Sequence, residues 1–212
     1  MVAVLGTLGY RPQSLIPTIR STAGVDHVVM FISATARSRE AAAEVGKYCS
    51  TMEIGCDVVE LDDAFDLMMV AERVQDEVLR LRRSGEDVAV FNIAGGTRLM
   101  SGAALLVCIL EGLNAVYVHD DTYEEIALPF LHMRYSSALT PMERRILLHI
   151  LERGGGGMSQ MEIAKEMGLH KATVNHHVQQ LFRKGAVEML AKEGDRRTKT
   201  VRAQDSMRLL LR

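Results

Sequence analysis

The chain has 212 residues, 48% of them hydrophobic and 25% charged, with a formal net charge of −2. That is ordinary globular material, long for one domain and comfortable for two. No run of 18 apolar residues exists, so no transmembrane helix is expected. Three cysteines, Cys49, Cys56 and Cys108, are an odd number without a C-x-x-C pair. They argue against a disulfide framework or a zinc site and for a reducing, cytoplasmic setting. The opening MVAVLGTLGY has neither the basic stretch nor the cleavage site of a signal peptide. The small net charge hides an asymmetry. Residues 1–137 hold 11 basic and 19 acidic residues, a net of −8, whereas residues 138–212 hold 14 and 8, a net of +6. A basic module on an acidic body points to a polyanion at the C-terminal part.

In chain order, Val2–Leu5, His27–Ile32, Asp57–Leu61, Asp87–Phe91 and Ala115–His119 read as strands. They are short, rich in Val and Ile and almost continuously apolar, as parallel strands covered on both faces are. Helical patterns lie between them at Pro12–Thr22, Ser38–Thr51, Phe65–Arg83 and Thr97–Leu110. This alternation predicts an α/β, Rossmann-like, mostly parallel sheet over residues 1–134. A sixth strand near Glu124–Phe130 closes a hairpin with the fifth through His119–Thr122, and Pro129 confines it to an edge.

Ligands of such sheets sit at the carboxyl ends of the strands, near the point where strand order reverses. The loops after the first and fourth strands read Gly6-Thr7-Leu8-Gly9-Tyr10-Arg11-Pro12 and Asn92-Ile93-Ala94-Gly95-Gly96-Thr97-Arg98. Each joins glycines, hydroxyls and one arginine at a strand-to-helix turn. Glycine permits close backbone approach, the helix N-terminus offers free N–H groups, and a guanidinium forks onto phosphate. The pattern is neither the G-x-G-x-x-G of NAD sites nor a P-loop, since G-K-[ST] is missing and no ribose-binding acid follows the second strand. Asp62 and Asp63, after the third strand, read as a solvated loop end rather than a metal or ribose site.

The run Asn92-Ile93-Ala94-Gly95-Gly96-Thr97-Arg98-Leu99-Met100 resembles the N-x-T-G-G-T-K-x-M signature of CRISPR-associated Rossmann-fold (CARF) domains, and the first loop resembles that family's strand-one motif. The resemblance covers roughly residues 1–134. It implies a homodimer whose paired loops clasp a cyclic oligoadenylate, lined by Thr7, Leu8, Gly9, Asn92, Gly95, Gly96, Thr97 and Arg98, with no further cofactor. Ala94 replaces the family's usual Thr, removing a hydroxyl. Arg98 replaces the usual Lys, turning a point charge into a fork.

Tyr135–Ala138 reads as a linker to an α+β module at residues 138–212. Thr140 with Pro141 and Glu143 forms a capping box for a helix Pro141–Arg153, whose core stripe is Ile146, Leu147, Ile150 and Leu151, with Leu139 as a staple. Gly154–Gly157 ends that helix. Ser159 and Glu162 cap a second, Gln160–Met167, and a Gly168-Leu169 turn leads to a third, His170–Lys184. Short helix, glycine turn and longer helix make a helix-turn-helix. On the third helix Val174, Val178 and Leu181 share the core face. Thr173, His176, Gln179, Gln180 and Arg183 lie away from it, flanked by Lys171 and Asn175, as a major-groove reader requires. Ala186–Lys192 and Thr198–Ala203 then form a wing around Gly194-Asp195-Arg196-Arg197, with Arg196, Arg197 and Lys199 at its tip against phosphates or the minor groove. His170, His176 and His177 have no thiol beside them, and adjacent histidines do not share a helix face, so no metal site is expected.

The segment Val174–Leu181 resembles the recognition helix of ArsR- or MarR-type regulators. A CARF-like domain joined to a winged helix resembles the archaeal CRISPR-associated transcription regulators. That implies a non-enzymatic homodimer that binds operator DNA under control of a cyclic oligoadenylate. Rival readings are a ring nuclease that uses its second domain only for dimerisation, with Thr7, Ser14 or Arg98 assisting 2′-hydroxyl attack, and a sensor of another nucleotide with DNA binding unchanged.

Overall fold

The computed structural model describes residues 1–129, 138–153, 157–192 and 195–211; the side chains of residues 191–198 lie outside that description. Most of the expected linker, the glycines 154–156, Phe130 and Gly194 fall outside it as well. The chain divides into two compact units, Met1–Arg134 and Tyr135–Arg212.

The first unit alternates β1 (Val2–Leu8), α1 (Ile16–Ser21), β2 (Val25–Ser33), α2 (Ala36–Thr51), β3 (Gly55–Leu61), α3 (Leu67–Arg83), β4 (Asp87–Asn92), α4 (Arg98–Glu111), β5 (Ala115–Val118) and β6 (Glu125–Ala127). Its sheet runs β3-β2-β1-β4-β5-β6, with the first five strands parallel and β6 antiparallel to β5. The order reverses between β1 and β4, whose register sets Gly6 beside Asn92. One face packs Val4, Leu8, Val28, Met30 and Ile32 under Leu15, just before α1, and Ile19, Ala41, Val45 and Cys49 from the first two helices. This is the mostly parallel, Rossmann-like α/β sheet that the apolar periodicity predicts.

One expected helix differs. Pro12–Thr22 is a 3-10 turn over Pro12–Ser14 followed by α1 from Ile16. Pro17 has no N–H to bond back to Gln13, so an unbroken α-helix cannot run through it.

The second unit holds α5 (Pro141–Glu152), β7 (Met158–Ser159), α6 (Gln160–Met167), α7 (Lys171–Arg183), β8 (Glu188–Lys192) and β9 (Asp195–Arg202), then a 3-10 turn over Asp205–Leu211. Both capping boxes form. Thr140 Oγ1 accepts from Glu143 N at 3.3 Å and Glu143 Oε2 from Thr140 N at 2.7 Å. Ser159 and Glu162 do the same at 3.2 and 2.7 Å. Gly168 closes α6 in the left-handed region at φ 65°. Leu139, Ile146, Leu147, Ile150, Leu151, Val174, Val178 and Leu181 share one core. The sheet is β7-β9-β8, so Met158–Ser159 adds a strand too short for a periodicity to reveal. The second strand of the wing starts earlier than expected. Asp195, Arg196 and Arg197 already belong to β9, Asp195 pairs with Lys192, and Lys199 pairs with Ala191. The β8–β9 register shifts between Ala191 and Lys192, so the pairing jumps from Lys199 to Asp195 across residues whose polarity reads as turn. No helix of the described residues is long and apolar enough to cross a membrane.

Candidate functional site

The two glycine loops meet where the strand order reverses, and their glycines are required first by each other. A β-carbon on Gly95 would stand 2.4 Å from the Thr7 carbonyl oxygen and 2.8 Å from Leu8 Cα; one on Gly9 would stand 2.9 Å from Gly96 N. Gly96 has φ +85°, a region open to glycine. Backbone therefore lies directly on backbone. The amides of Gly95 and Gly96 make no backbone hydrogen bond among the described residues, which leaves two donors at the start of α4.

Asn92 locks the arrangement. It is wholly buried, donates from Nδ2 to the Ser14 carbonyl (2.8 Å) and Thr18 Oγ1 (2.7 Å), and accepts Ala94 N on Oδ1 (2.8 Å). One side chain thus holds both loops at their bases. Thr97 caps α4, accepting Met100 N at 3.1 Å, and donates to the Ala64 carbonyl at 2.8 Å, tying in the loop after β3. Asp62 and Asp63 stand in that same loop, where Asp63 Oδ1 accepts Phe65 N at 2.8 Å.

A cavity of about 390 Å³ opens at this junction, lined by Gly9, Tyr10, Arg11, Ser14, Ser33, Ala94, Gly95, Gly96, Thr97 and Asp120. Of the eight residues expected to line a ligand, Gly9, Gly95, Gly96 and Thr97 line this cavity. Thr7, Leu8 and Asn92 are wholly buried beside it, and Leu8 belongs to the apolar core. The Thr7 hydroxyl is buried without a hydrogen-bond partner among the described residues. Arg98, the first residue of α4, is exposed but lies outside the lining; the arginine that lines the cavity is Arg11. Sequence reasoning also missed Tyr10, whose exposed ring sits 5.1 Å from the Arg37 guanidinium, and Asp120, which arrives from the β5–β6 turn. Tyr10 and Arg11 follow Gly9 directly and were legible as loop residues; Asp120 carried no such signal.

In the second unit, α7 buries Val174, Val178 and Leu181 completely. Lys171, Asn175, His176 and Arg183 are exposed, and Thr173, Gln179 and Gln180 are half-buried. Gln179 leans toward Met189 of β8, with Nε2 4.0 Å from Sδ. Lys199 is exposed on β9; the Arg196 and Arg197 side chains lie outside the described residues. Among the described residues no group of three or more His, Cys, Asp or Glu could hold a metal ion. The end of α7 is tied to the start of the unit: Lys184 Nζ donates to Glu143 Oε2 and to the Ala138 carbonyl, both at 2.8 Å. Burial pushes the Glu143 carboxyl up, but Lys184 and the Thr140 amide outweigh it and hold it below the ordinary carboxylate value.

Residues 2–129 match the Csa3 CRISPR-associated Rossmann-like domain and residues 139–198 the MarR family. No curated protein matches the chain in sequence. Among solved structures, protein VC1899 from Vibrio cholerae is 13% identical with a TM-score of 0.53, over 99% of this chain and 64% of that one. Can2 from Sulfobacillus thermosulfidooxidans, in complex with cyclic tetra-adenylate, is 13% identical with a TM-score of 0.46, over 100% and 64%. An S. aureus MepR mutant bound to an oligodeoxyribonucleotide is 23% identical with a TM-score of 0.34, over 35% and 54%. This chain thus spans under two thirds of the length of VC1899 and of Can2, and the likeness to VC1899 is one of fold. With its match over residues 2–129, more than half its length, the chain belongs to the Csa3 CRISPR-associated Rossmann-like family.

Proposed function

We propose that the protein is a ligand-responsive transcription regulator, not an enzyme: a homodimer whose Rossmann-like units bind a cyclic oligoadenylate and so alter how two winged helices grip an operator. The observation that carries this reading is the junction of both glycine loops in one cavity at the reversal of strand order, in a chain that also carries a helix-turn-helix with an open polar face. Unbonded amides at a helix start, hydroxyls and Arg11 suit phosphate. At about 390 Å³ the cavity is at the small end of small-molecule pockets, fitting part of a cyclic oligonucleotide and supporting the use of two copies related by a two-fold axis.

The chemistry of the lining favours binding over cleavage. It holds one carboxylate, Asp120, and no imidazole. The Ser14 hydroxyl is engaged with the Arg11 carbonyl at 2.8 Å and that of Thr97 with Ala64. A ring nuclease would need a group to move the 2′-hydroxyl proton, and the one carboxylate among the described lining residues, Asp120, stands 4.0 Å from Arg11.

The test is a mobility shift on the DNA upstream of the protein's own gene, with and without cyclic tetra-adenylate. Specific binding that the ligand strengthens or weakens is expected. Linear products at multiple-turnover rates would reassign the protein as a ring nuclease.

A further inference from the structure

The cavity proposed for a polyanion has a carboxylate on its wall, and that conflict is informative. Asp120 faces Arg11 across the cavity, Oδ1 to Nη1 4.0 Å, with both side chains more than half exposed. It belongs to the turn His119-Asp120-Asp121-Thr122-Tyr123-Glu124 between β5 and β6, which carries three carboxylates (Asp120, Asp121, Glu124), with Glu125 following at the start of β6. A phosphate drawn to Arg11 enters the field of that turn.

We propose that Asp120 is the sensing group of this pocket: in the empty site it partners Arg11, and a bound phosphate takes Arg11 from it and drives the β5–β6 turn away. The inference rests on the reading of the cavity as an anion site. Three observations support it.

The Arg11–Asp120 contact is long and solvated, the kind of ion pair that holds weakly and exchanges readily. A guanidinium matches phosphate with two parallel donors, so phosphate is the better partner.

The turn is built to move as one piece. His119 N donates to the Glu124 carbonyl (2.9 Å) and Tyr123 N to the His119 carbonyl (3.0 Å). His119 Nδ1 accepts Asp121 N and Thr122 N at 3.2 and 3.3 Å. Tyr123 sits in the left-handed region at φ 57°, which an aromatic residue adopts only under constraint. Tyr117 OH, on β5, donates to Asp120 Oδ2 at 3.4 Å, so a displaced Asp120 pulls on the strand as well.

The turn also stands at a useful place in the chain. β6, which it opens, is the last strand among the described residues of the first unit, and the winged helix follows in the chain. A ligand can bias two states only through a difference in its affinity for them, and repulsion from the turn supplies that difference.

The magnitude follows from Coulomb's law. Two unit charges about 5 Å apart at the dielectric of water repel enough to weaken binding about fourfold, and more in a less polar setting. The experiment uses the full chain in EDTA, with cyclic tetra-adenylate as the probe. Asp120→Asn keeps the shape and removes the charge, and is expected to bind the probe about fourfold tighter or more. Asp121→Asn, on the same turn but off the cavity wall, should change affinity less than twofold. Hydrogen exchange over residues 119–127 should change when the probe binds the wild type, and change much less in Asp120→Asn. Unchanged affinity in Asp120→Asn overturns the proposal, as does an exchange pattern indifferent to the probe. Weaker binding overturns it too and makes Asp120 an acceptor for a base amine. A wild type that ignores the probe brings down the anion-site reading itself, an outcome separate from these.

Discussion

Gly95 and Thr7 are in backbone contact: a β-carbon on Gly95 would stand 2.4 Å from the Thr7 carbonyl oxygen. The atom in the way belongs to the central strand and cannot swing aside as a side chain would. Gly95→Ala is therefore expected to destabilise the first unit by about 1–3 kcal/mol, as forced overpacking does, and to spoil the cavity. Gly46, on α2, has nothing within 4 Å of its would-be β-carbon. Gly46→Ala should raise stability by up to about 1 kcal/mol through helix propensity. Urea unfolding of the two variants checks both signs.

Arg11 lines the cavity and Arg98 does not. Arg11→Gln is expected to weaken cyclic tetra-adenylate binding about tenfold or more, the loss of a charge-assisted hydrogen bond. Arg98→Ala should weaken it far less and leave DNA affinity without ligand unchanged. Titration calorimetry on both variants decides; a larger loss at Arg98 would return the phosphate fork to the position that the motif resemblance implies.

Glu143 couples the start of the second unit to the end of α7. Its carboxyl is buried and lies below its ordinary value because Lys184 and the Thr140 amide bind the charged form. A depressed folded-state value means stability that is present above the unfolded-state value and lost as pH falls through the folded one. Acid should therefore loosen the second unit, and Glu143→Gln should flatten that acid limb while lowering stability at pH 7 by about 1.5–3 kcal/mol. Thermal unfolding of wild type and variant between pH 7 and pH 3 measures it. Parallel curves would exclude the role given to Lys184.

DNA binding should fall steeply with salt, about −0.9 in log–log slope per phosphate neutralised. Arg197→Ala, on the strand of the wing, is expected to weaken all sequences alike and flatten that slope by roughly one. Gln179→Ala, on α7, should cost about 1–3 kcal/mol on the cognate site alone, because a base-edge contact carries sequence information. Binding isotherms on cognate and scrambled duplexes at three salt concentrations separate the two. Equal losses on both duplexes for Gln179→Ala would remove α7 from base reading.

Much of the molecule is legible in the sequence because it is local. Thr140 with Glu143, and Ser159 with Glu162, make capping boxes from residues three apart, whatever packs around them. Val174, Val178 and Leu181 share a face because 3.6 residues make a turn, and the same periodicities separate the strands of the first unit from its helices. The break at Pro17 was local too, yet the apolar pattern running through it hides it. The tertiary structure alone decides the rest. Sheet order sets β1 beside β4, so that Gly95 meets Thr7, and Asn92 reaches Ser14 and Thr18 on another element. Cross-strand pairing, not local polarity, extends β9 back to Asp195. Asp120 comes to face Arg11 only because β5 lies one strand beyond β4, and no spacing along the chain encodes a neighbour that the order of a sheet supplies.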